Sequence, residues 1–208
     1  MTRPLHLTWA VLATGVAVAA IVPTSHAYTG GPITAQVLGY DRAERKVFFR
    51  LDNHDESGEP TRVGYFALSS ADPSRPRWVR FKPRAKEPAA SIAVVDNITR
   101  LAGRLSRLVP ATQYDLQVHV RTVRADTLRS RFMQTPRCSL EVHLQSDSLS
   151  AITSVITFGT PRVGVWAFFA IPGESAAVAI LSADAKRYEE AGEDLQTPVL
   201  LLPRERRP

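Results

Sequence analysis

Cysteine is almost absent from this chain of 208 residues. The single cysteine, Cys138, cannot form an internal disulfide, so the fold has to be stabilised by a hydrophobic core. Hydrophobic residues make up 44% of the sequence, which is normal for a globular protein and sufficient for such a core. Cys138 lies at the start of a predicted strand, and we expect it to be a small buried residue.

The common catalytic sequence motifs are also missing. The chain contains no Gly-x-Ser-x-Gly elbow, no His-Glu-x-x-His pair, no phosphate-binding loop and no dinucleotide fingerprint. These absences give nucleophilic, zinc-protease and nucleotide chemistry little support. Paired carboxylates for glycoside hydrolysis stay open, because such pairs form in space and leave no spacing in the sequence.

Long apolar runs are missing after the first 22 residues. The run Leu7 to Val22 (LTWAVLATGVAVAAIV) follows a short positive region, and Pro23 ends it. Small residues at Ser25 and Ala27 then suit a signal peptidase, whereas a spanning helix needs about 20 apolar residues. We therefore predict that residues 1–27 are a cleaved signal peptide, and that the mature chain is periplasmic or extracellular and not transmembrane.

The charges of the mature chain are unevenly distributed. Residues 28–137 carry 19 basic and 11 acidic side chains, whereas residues 138–203 carry 3 basic and 8 acidic ones. Such an asymmetry is typical of a surface for anionic partners, and it also fits two ends of one molecule that complement each other.

The apolar residues alternate with polar ones over most of the chain, which predicts strands. We expect a mainly β fold, an antiparallel β-sandwich or open meander of about ten strands, with one amphipathic helix near 89–108. Residues 28–203 would form a single domain whose halves, 28–88 and 111–203, are joined by that helix, and 204–208 would be a disordered basic tail.

The segment Lys46 to Leu68 is predicted to be a β-hairpin with a long acidic connection. Within it, Asn53, Asp55 and Ser57 match the spacing of the first half of a calcium loop, and Asp52 precedes them. The twelfth position of that loop is Gly64, where a bidentate glutamate is required. A solvated turn is therefore the main interpretation, and a calcium or magnesium site at Asp52, Asn53, Asp55 and Ser57 is the alternative.

A basic stretch with aromatic residues follows at 75–84 (RPRWVRFKPR). Aromatic rings in such a stretch can stack while arginines meet an anion, although the same pattern fits an edge strand that charge protects from pairing. We expect export to exclude nucleic acid. The candidate residues for an anionic polymer or lipid head group are Arg75, Arg77, Trp78, Arg80, Lys82 and Arg84.

Two histidines, His119 and His143, fall on the polar face of their predicted strands. We expect a strand at 127–135 to lie between them, which would put them two strands, about 10 Å, apart and too far for joint zinc ligation. Arg129 and Arg131 would then lie between the histidines and complete an anion-binding face, unless all four are simply exposed polar residues.

These observations predict an exported, non-enzymatic β-rich protein that binds an anionic partner at its surface or takes part in envelope structure. No cofactor is expected apart from the calcium alternative. The competing hypothesis is a hydrolase of envelope or extracellular polymers, assisted by a metal at Asp52, His54, Asp55 and Glu56.

Overall fold

The computed structural model describes residues 33–53, 61–80, 90–112, 116–129, 134–158, 160–184 and 194–204 of the chain. The predicted signal peptide, residues 54–60 of the acidic connection and residues 205–208 of the basic tail lie outside the described residues. No helix in the described part is long and apolar enough to cross a membrane.

The described residues form eleven strands and one helix, so the fold is mainly β, as the alternation predicts. The strands and the helix are β1 (Ile33–Asp41), β2 (Lys46–Asn53), β3 (Arg62–Ala67), β4 (Arg77–Trp78), α1 (Ala90–Ala102), β5 (Val109–Pro110), β6 (Gln117–Arg129), β7 (Gln134–Gln145), β8 (Leu149–Phe158), β9 (Val163–Ala170), β10 (Ala177–Asp184) and β11 (Asp194–Pro203).

The strands pair into one open, mixed sheet that branches at its last strand. The main path runs β4-β3-β2-β1-β11-β10-β9-β5, and a second path, β6-β7-β8, joins it at the end of β11. The hairpin of β2 and β3 is antiparallel, as predicted. The pairing of β1 with β11 is parallel, where only antiparallel pairs were predicted. β11 lies between β1 and β10, and it runs antiparallel to β10 but in the same direction as β1.

The strands β10 and β11 are apolar on both faces, because each face meets a different part of the core. On one face, Ala179 and Leu201 contact side chains of β7 and β8, such as Val142 and Val155. On the other face, Val178 and Leu200 contact the hairpin of β2 and β3. This arrangement explains why the sequence shows no alternation in these two strands.

The hairpin of β2 and β3 also has two apolar faces. Phe49 and Phe66 are buried beside β10 and β11, with ring centroids 5.1 Å apart. Phe48 and Val63 point to the opposite face and pack against Ile98 of α1. The hairpin therefore joins the helix to the centre of the sheet.

The helix is shorter than predicted and ends at Ala102. Ser106 then pairs with Tyr40 of β1 through two backbone hydrogen bonds of 2.8 and 2.9 Å, which hold the chain against the sheet and stop the helix. The amphipathic pattern stays a prediction, because the side chains of residues 90–95 are outside the described part.

The separate strand predicted at 127–135 is not present. Instead β6 and β7 form one long hairpin, and residues 130–133 lie outside the described residues. A β-bulge between Thr122 and Arg124 places Val123 in solvent and interrupts the alternation, which made one strand resemble two. Cys138 lies in β7 and is only partly buried, packed against the core cluster that includes Val142 and Leu201.

Candidate anion-binding surface

The short strand β4 forms one edge of the sheet and carries two of the predicted binding residues. Trp78 pairs with Gly64 and Arg77 pairs with Tyr65 of β3. A strand at an edge leaves one row of backbone groups without partners, and charged side chains discourage another chain from pairing there. The position of β4 therefore fits the structural interpretation of this stretch as well as the binding one.

The ring of Trp78 is partly used in packing. The rings of Trp78 and Phe49 form a T-shaped pair with centroids 5.8 Å apart, and the guanidinium of Arg62 lies 4.2 Å from the centroid of the Trp78 ring. The side chain keeps 40% of its surface exposed. Trp78 thus already holds one cation in a cation–π contact. Arg62 was missed by the sequence reasoning, because only the pairing of β3 with β4 brings it to this ring.

Four arginines of this region project into solvent, and together with Trp78 we call them the basic edge: Arg62, Arg75, Arg77 and Arg80. Among the described residues, none of the four forms an ion pair with a carboxylate. Arg77 donates to the hydroxyl of Ser70 at 2.9 Å. The remaining predicted binding residues, Lys82 and Arg84, lie outside the described residues.

A shallow cavity of about 490 Å³ opens beside the basic edge. Asp72 is the only acidic residue among the described residues that line it, and its carboxylate accepts a hydrogen bond from Ser74 at 2.7 Å. Two guanidinium groups at one opening suit a small anionic group better than a cation. The cavity is lined by Ser70, Ala71, Asp72, Arg75, Pro76 and Arg77.

Three further exposed arginines lie in the last turn of α1 and in the segment that follows it: Arg100, Arg104 and Arg107. Their segment packs on the same hydrophobic cluster as the basic edge, because Val79, the neighbour of Trp78, contacts the cluster that contains Ile98. The segments that carry both groups of arginines therefore pack on one hydrophobic cluster. Neither group has an ion-pair partner among the described residues.

The candidate cation site falls mostly outside the described residues, which include Asp52 but not residues 54–60. Both carboxylate oxygens of Asp52 already have partners. Thr61 donates to Oδ1 at 2.8 Å and Arg50 contacts Oδ2 at 2.8 Å. The side chains of Asn53, Asp55 and Ser57 are outside the described part, as are His54 and Glu56 of the hydrolase hypothesis. The cation loop stays a prediction.

Glu174, in the turn between β9 and β10, is the most strongly engaged carboxylate in the described part. It accepts hydrogen bonds from the hydroxyl of buried Tyr40 and from Arg45, whose Nη2 lies 2.7 Å from Oε2. Arg45 first, and then Tyr40, hold the pKa of Glu174 below its usual range. Burial, and then the hydrogen bond to Glu174, raise the pKa of Tyr40.

A second cavity, of about 580 Å³, contains Glu174 and Asp147 in its lining. A general acid needs a carboxyl group that can exchange its proton with a substrate. Glu174 instead has an oxygen shared by Tyr40 and Arg45 and the other bound to Arg45. The arrangement indicates that Glu174 has a structural role and stabilises the packing of the β9–β10 turn against the β1–β2 turn.

The predicted distance between the two histidines is wrong. His119 of β6 lies directly opposite His143 of β7. Arg129 and Arg131 do not separate them, since Arg129 pairs with Gln134 at the far end of the hairpin and Arg131 lies outside the described residues. The prediction failed because the bulge in β6 was interpreted as the end of a strand.

Arg121 and Glu141 form the next pair along the same face of this hairpin. Oε1 of Glu141 lies 2.7 Å from Nε2 of His143 and 2.9 Å from Nη2 of Arg121. The hydrogen bond from His143, more than the charge of Arg121, holds the pKa of Glu141 below its usual range. In the described part of the chain, no three His, Cys, Asp or Glu side chains form a ready-made metal ligand set.

No protein-family model matches this chain, and neither does any curated protein or solved structure. The functional interpretation therefore depends on the surfaces described above.

Proposed function

We propose that this protein is a non-enzymatic surface-binding module for an anionic partner, and that the basic edge is its contact surface. One observation carries the proposal. Arg62, Arg75, Arg77 and Arg80 are exposed around one short edge strand, and no described carboxylate neutralises them. Arginine is suited to this role because its planar guanidinium binds carboxylate, sulfate or phosphate oxygens in pairs.

The arrangement of these charges favours an extended partner over a small one. The basic edge and the group of Arg100, Arg104 and Arg107 are carried by two segments that pack on one hydrophobic cluster. A polymer or a layer of lipid head groups presents repeated charges and engages several such arginines at once, which raises affinity without any deep pocket. The half-exposed ring of Trp78 adds an amphipathic group in the middle of the charges.

We further propose that residues 1–27 direct export, and that the partner is therefore an envelope or extracellular polymer or an anionic lipid surface and not a nucleic acid. The apolar run and the small residues before position 28 support this proposal. The partner would meet the basic half of the mature chain.

We also propose that residues 28–203 fold as one domain in which the branch β6-β7-β8 packs on β10 and β11 as in a β-sandwich. The largest core cluster supports this, because it combines side chains from both groups of strands. The strand β11 belongs to both paths of the sheet, because it is hydrogen-bonded to β1 and β10 on the main path and to β8 on the other.

The test is retention of the full chain on a heparin column and on anionic vesicles over a series of salt concentrations. Binding through exposed arginines is expected at low salt. It should weaken steadily as salt rises, because the release of counterions into a more concentrated salt solution gains less entropy. Passage through the column at low salt, or retention that does not respond to salt, would remove the proposal.

A further inference from the structure

The outer face of the β6–β7 hairpin holds a pair of histidines in a geometry that the sequence does not reveal. His119 and His143 are direct cross-strand neighbours, and both are accessible to solvent. Opposite residues on one face of an antiparallel pair have Cβ atoms about 4.5–5.5 Å apart. Two imidazoles at that separation can bring one nitrogen each to within about 2.0–2.1 Å of a single zinc ion.

We propose that His119 and His143 together bind one late first-row transition-metal ion, of the class of Cu²⁺, Ni²⁺ or Zn²⁺, at the outer face of this hairpin. Imidazole nitrogens are ligands that these ions prefer, and copper binds most tightly among them. Water completes the coordination, since the described residues contain no set of three or more protein ligands. The site lies on a different part of the sheet from the basic edge and does not depend on the proposed function.

Glu141 supports the pair without being a ligand itself. Its Oε1 lies 2.7 Å from Nε2 of His143, which places the imidazole proton on Nε2 and leaves Nδ1 to coordinate. Metal-binding histidines commonly donate their second N–H to a carboxylate, which fixes the ring and raises its basicity. Arg121 holds the same carboxylate at 2.9 Å from the opposite strand.

Among the described residues, the other register neighbours of the pair carry no competing positive charge. Ile152 of β8 pairs with His143 on its other side and is 64% exposed. Gln117 and Gln145 form the next pair away from Arg121. The bulge after Thr122 lies beyond the Arg121–Glu141 pair and leaves the register at the histidines regular.

Isothermal titration of the untagged full chain with CuCl₂, NiCl₂ and ZnCl₂ tests the proposal. We expect one site per chain, with copper the tightest, and no comparable site for calcium or magnesium, which prefer oxygen ligands. His119→Gln and His143→Gln should each weaken copper binding more than tenfold, and Glu141→Gln should weaken it about tenfold or more by releasing the ring of His143.

The matched control keeps the number of histidines and separates them. The double variant His119→Gln, Gln134→His moves one imidazole to the far end of the hairpin, so it should bind as weakly as His119→Gln alone. Substoichiometric Cu²⁺ should also broaden the methyl resonances of Ile152 before other methyl signals. Binding that survives both single variants, or broadening that begins elsewhere, would overturn the proposal.

Discussion

Glu174 shows how a single residue holds distant parts of the fold together. It lies in the β9–β10 turn and binds Tyr40 and Arg45, at the two ends of the first β-turn. Glu174 is 134 residues from Tyr40 and 129 residues from Arg45 in the sequence, so these hydrogen bonds are long-range ties. Tyr40 is 2% exposed, and its hydroxyl would lack this partner if Glu174 were removed.

The lowered pKa of Glu174 predicts a pH-dependent contribution to stability. The ionised carboxylate is favoured in the folded protein, so its contribution is complete above the ordinary value of 4.5 and is lost as pH falls through the lower, folded value. Urea unfolding should therefore show that wild type exceeds Glu174→Gln in stability by a constant amount above pH 5. This difference should shrink below about pH 4.5. A difference that does not change with pH would contradict this role.

Gly64 is required by packing. A Cβ atom at this position would lie 2.5 Å from Cζ of Phe49 and 3.1 Å from the ring of Trp78. Phe49 is fully buried and packs against Phe66, so its ring has little free space into which to move. Gly64→Ala should therefore lower the free energy of unfolding by about 1–3 kcal/mol, the usual cost of overpacking a core.

The matched control for this prediction is Gly164→Ala in β9, where an added Cβ meets no atom within 4 Å. Chemical denaturation of both variants provides the comparison. Equal effects of the two substitutions would mean that the rings of Phe49 and Trp78 can rearrange.

At the scale of elements, a bulge in β1 docks the segment that follows the helix. The register of β1 on β2 shifts between Val37 and Gly39, and Gly39 has a φ of +146°. A Cβ there would lie 2.6 Å from Cβ of Leu105 and 2.8 Å from the carbonyl oxygen of Ser106. Glycine therefore lets the two backbones approach and form the Tyr40–Ser106 bridge.

We predict that Gly39→Ala detaches this segment. Hydrogen exchange at the amides of Tyr40 and Ser106 should accelerate at least tenfold, and the free energy of unfolding should fall by about 1–3 kcal/mol from strain and collision together. Gly173→Ala is the control, because Gly173 also has a positive φ, +80°, but no atom lies near its Cβ position. Similar acceleration of these two amides in both variants would contradict the prediction.

The sequence predicted elements well where period and burial agree. The hairpin of β2 and β3 follows from alternation around Phe48 and Phe49, and the edge position of β4 follows from its charges. The prediction from the sequence failed where a bulge shifted the alternation, as at Thr122 in β6. The histidine pair and the contact of Arg62 with Trp78 were therefore not predictable, because both depend on the register between strands.

At the scale of the whole molecule, two regions of opposite character meet at β11. The basic edge and the segment 100–107 carry arginines without an ion-pair partner among the described residues, whereas Arg121 and Arg124 of the β6–β7 hairpin are paired with Glu141 and Asp126. We therefore expect an anionic partner to bind at the basic edge rather than at this hairpin.

The most direct test of this account compares two triple variants with the same loss of charge. One removes three arginines of the basic edge, and the control removes three exposed arginines of the β6–β9 region. The basic-edge variant combines Arg75→Gln, Arg77→Gln and Arg80→Gln. The control variant combines Arg121→Gln, Arg124→Gln and Arg162→Gln.

The measurement is the affinity for heparin as a function of salt, read as the slope of log K against log salt concentration. Each arginine that contacts the polymer contributes roughly 0.7–0.9 to this slope, by analogy with phosphate contacts. The basic-edge variant should therefore lose about 2 units of slope and most of its affinity at low salt, whereas the control should stay near wild type. Equal losses in the two variants would contradict the account, because binding would then follow net charge and not the basic edge.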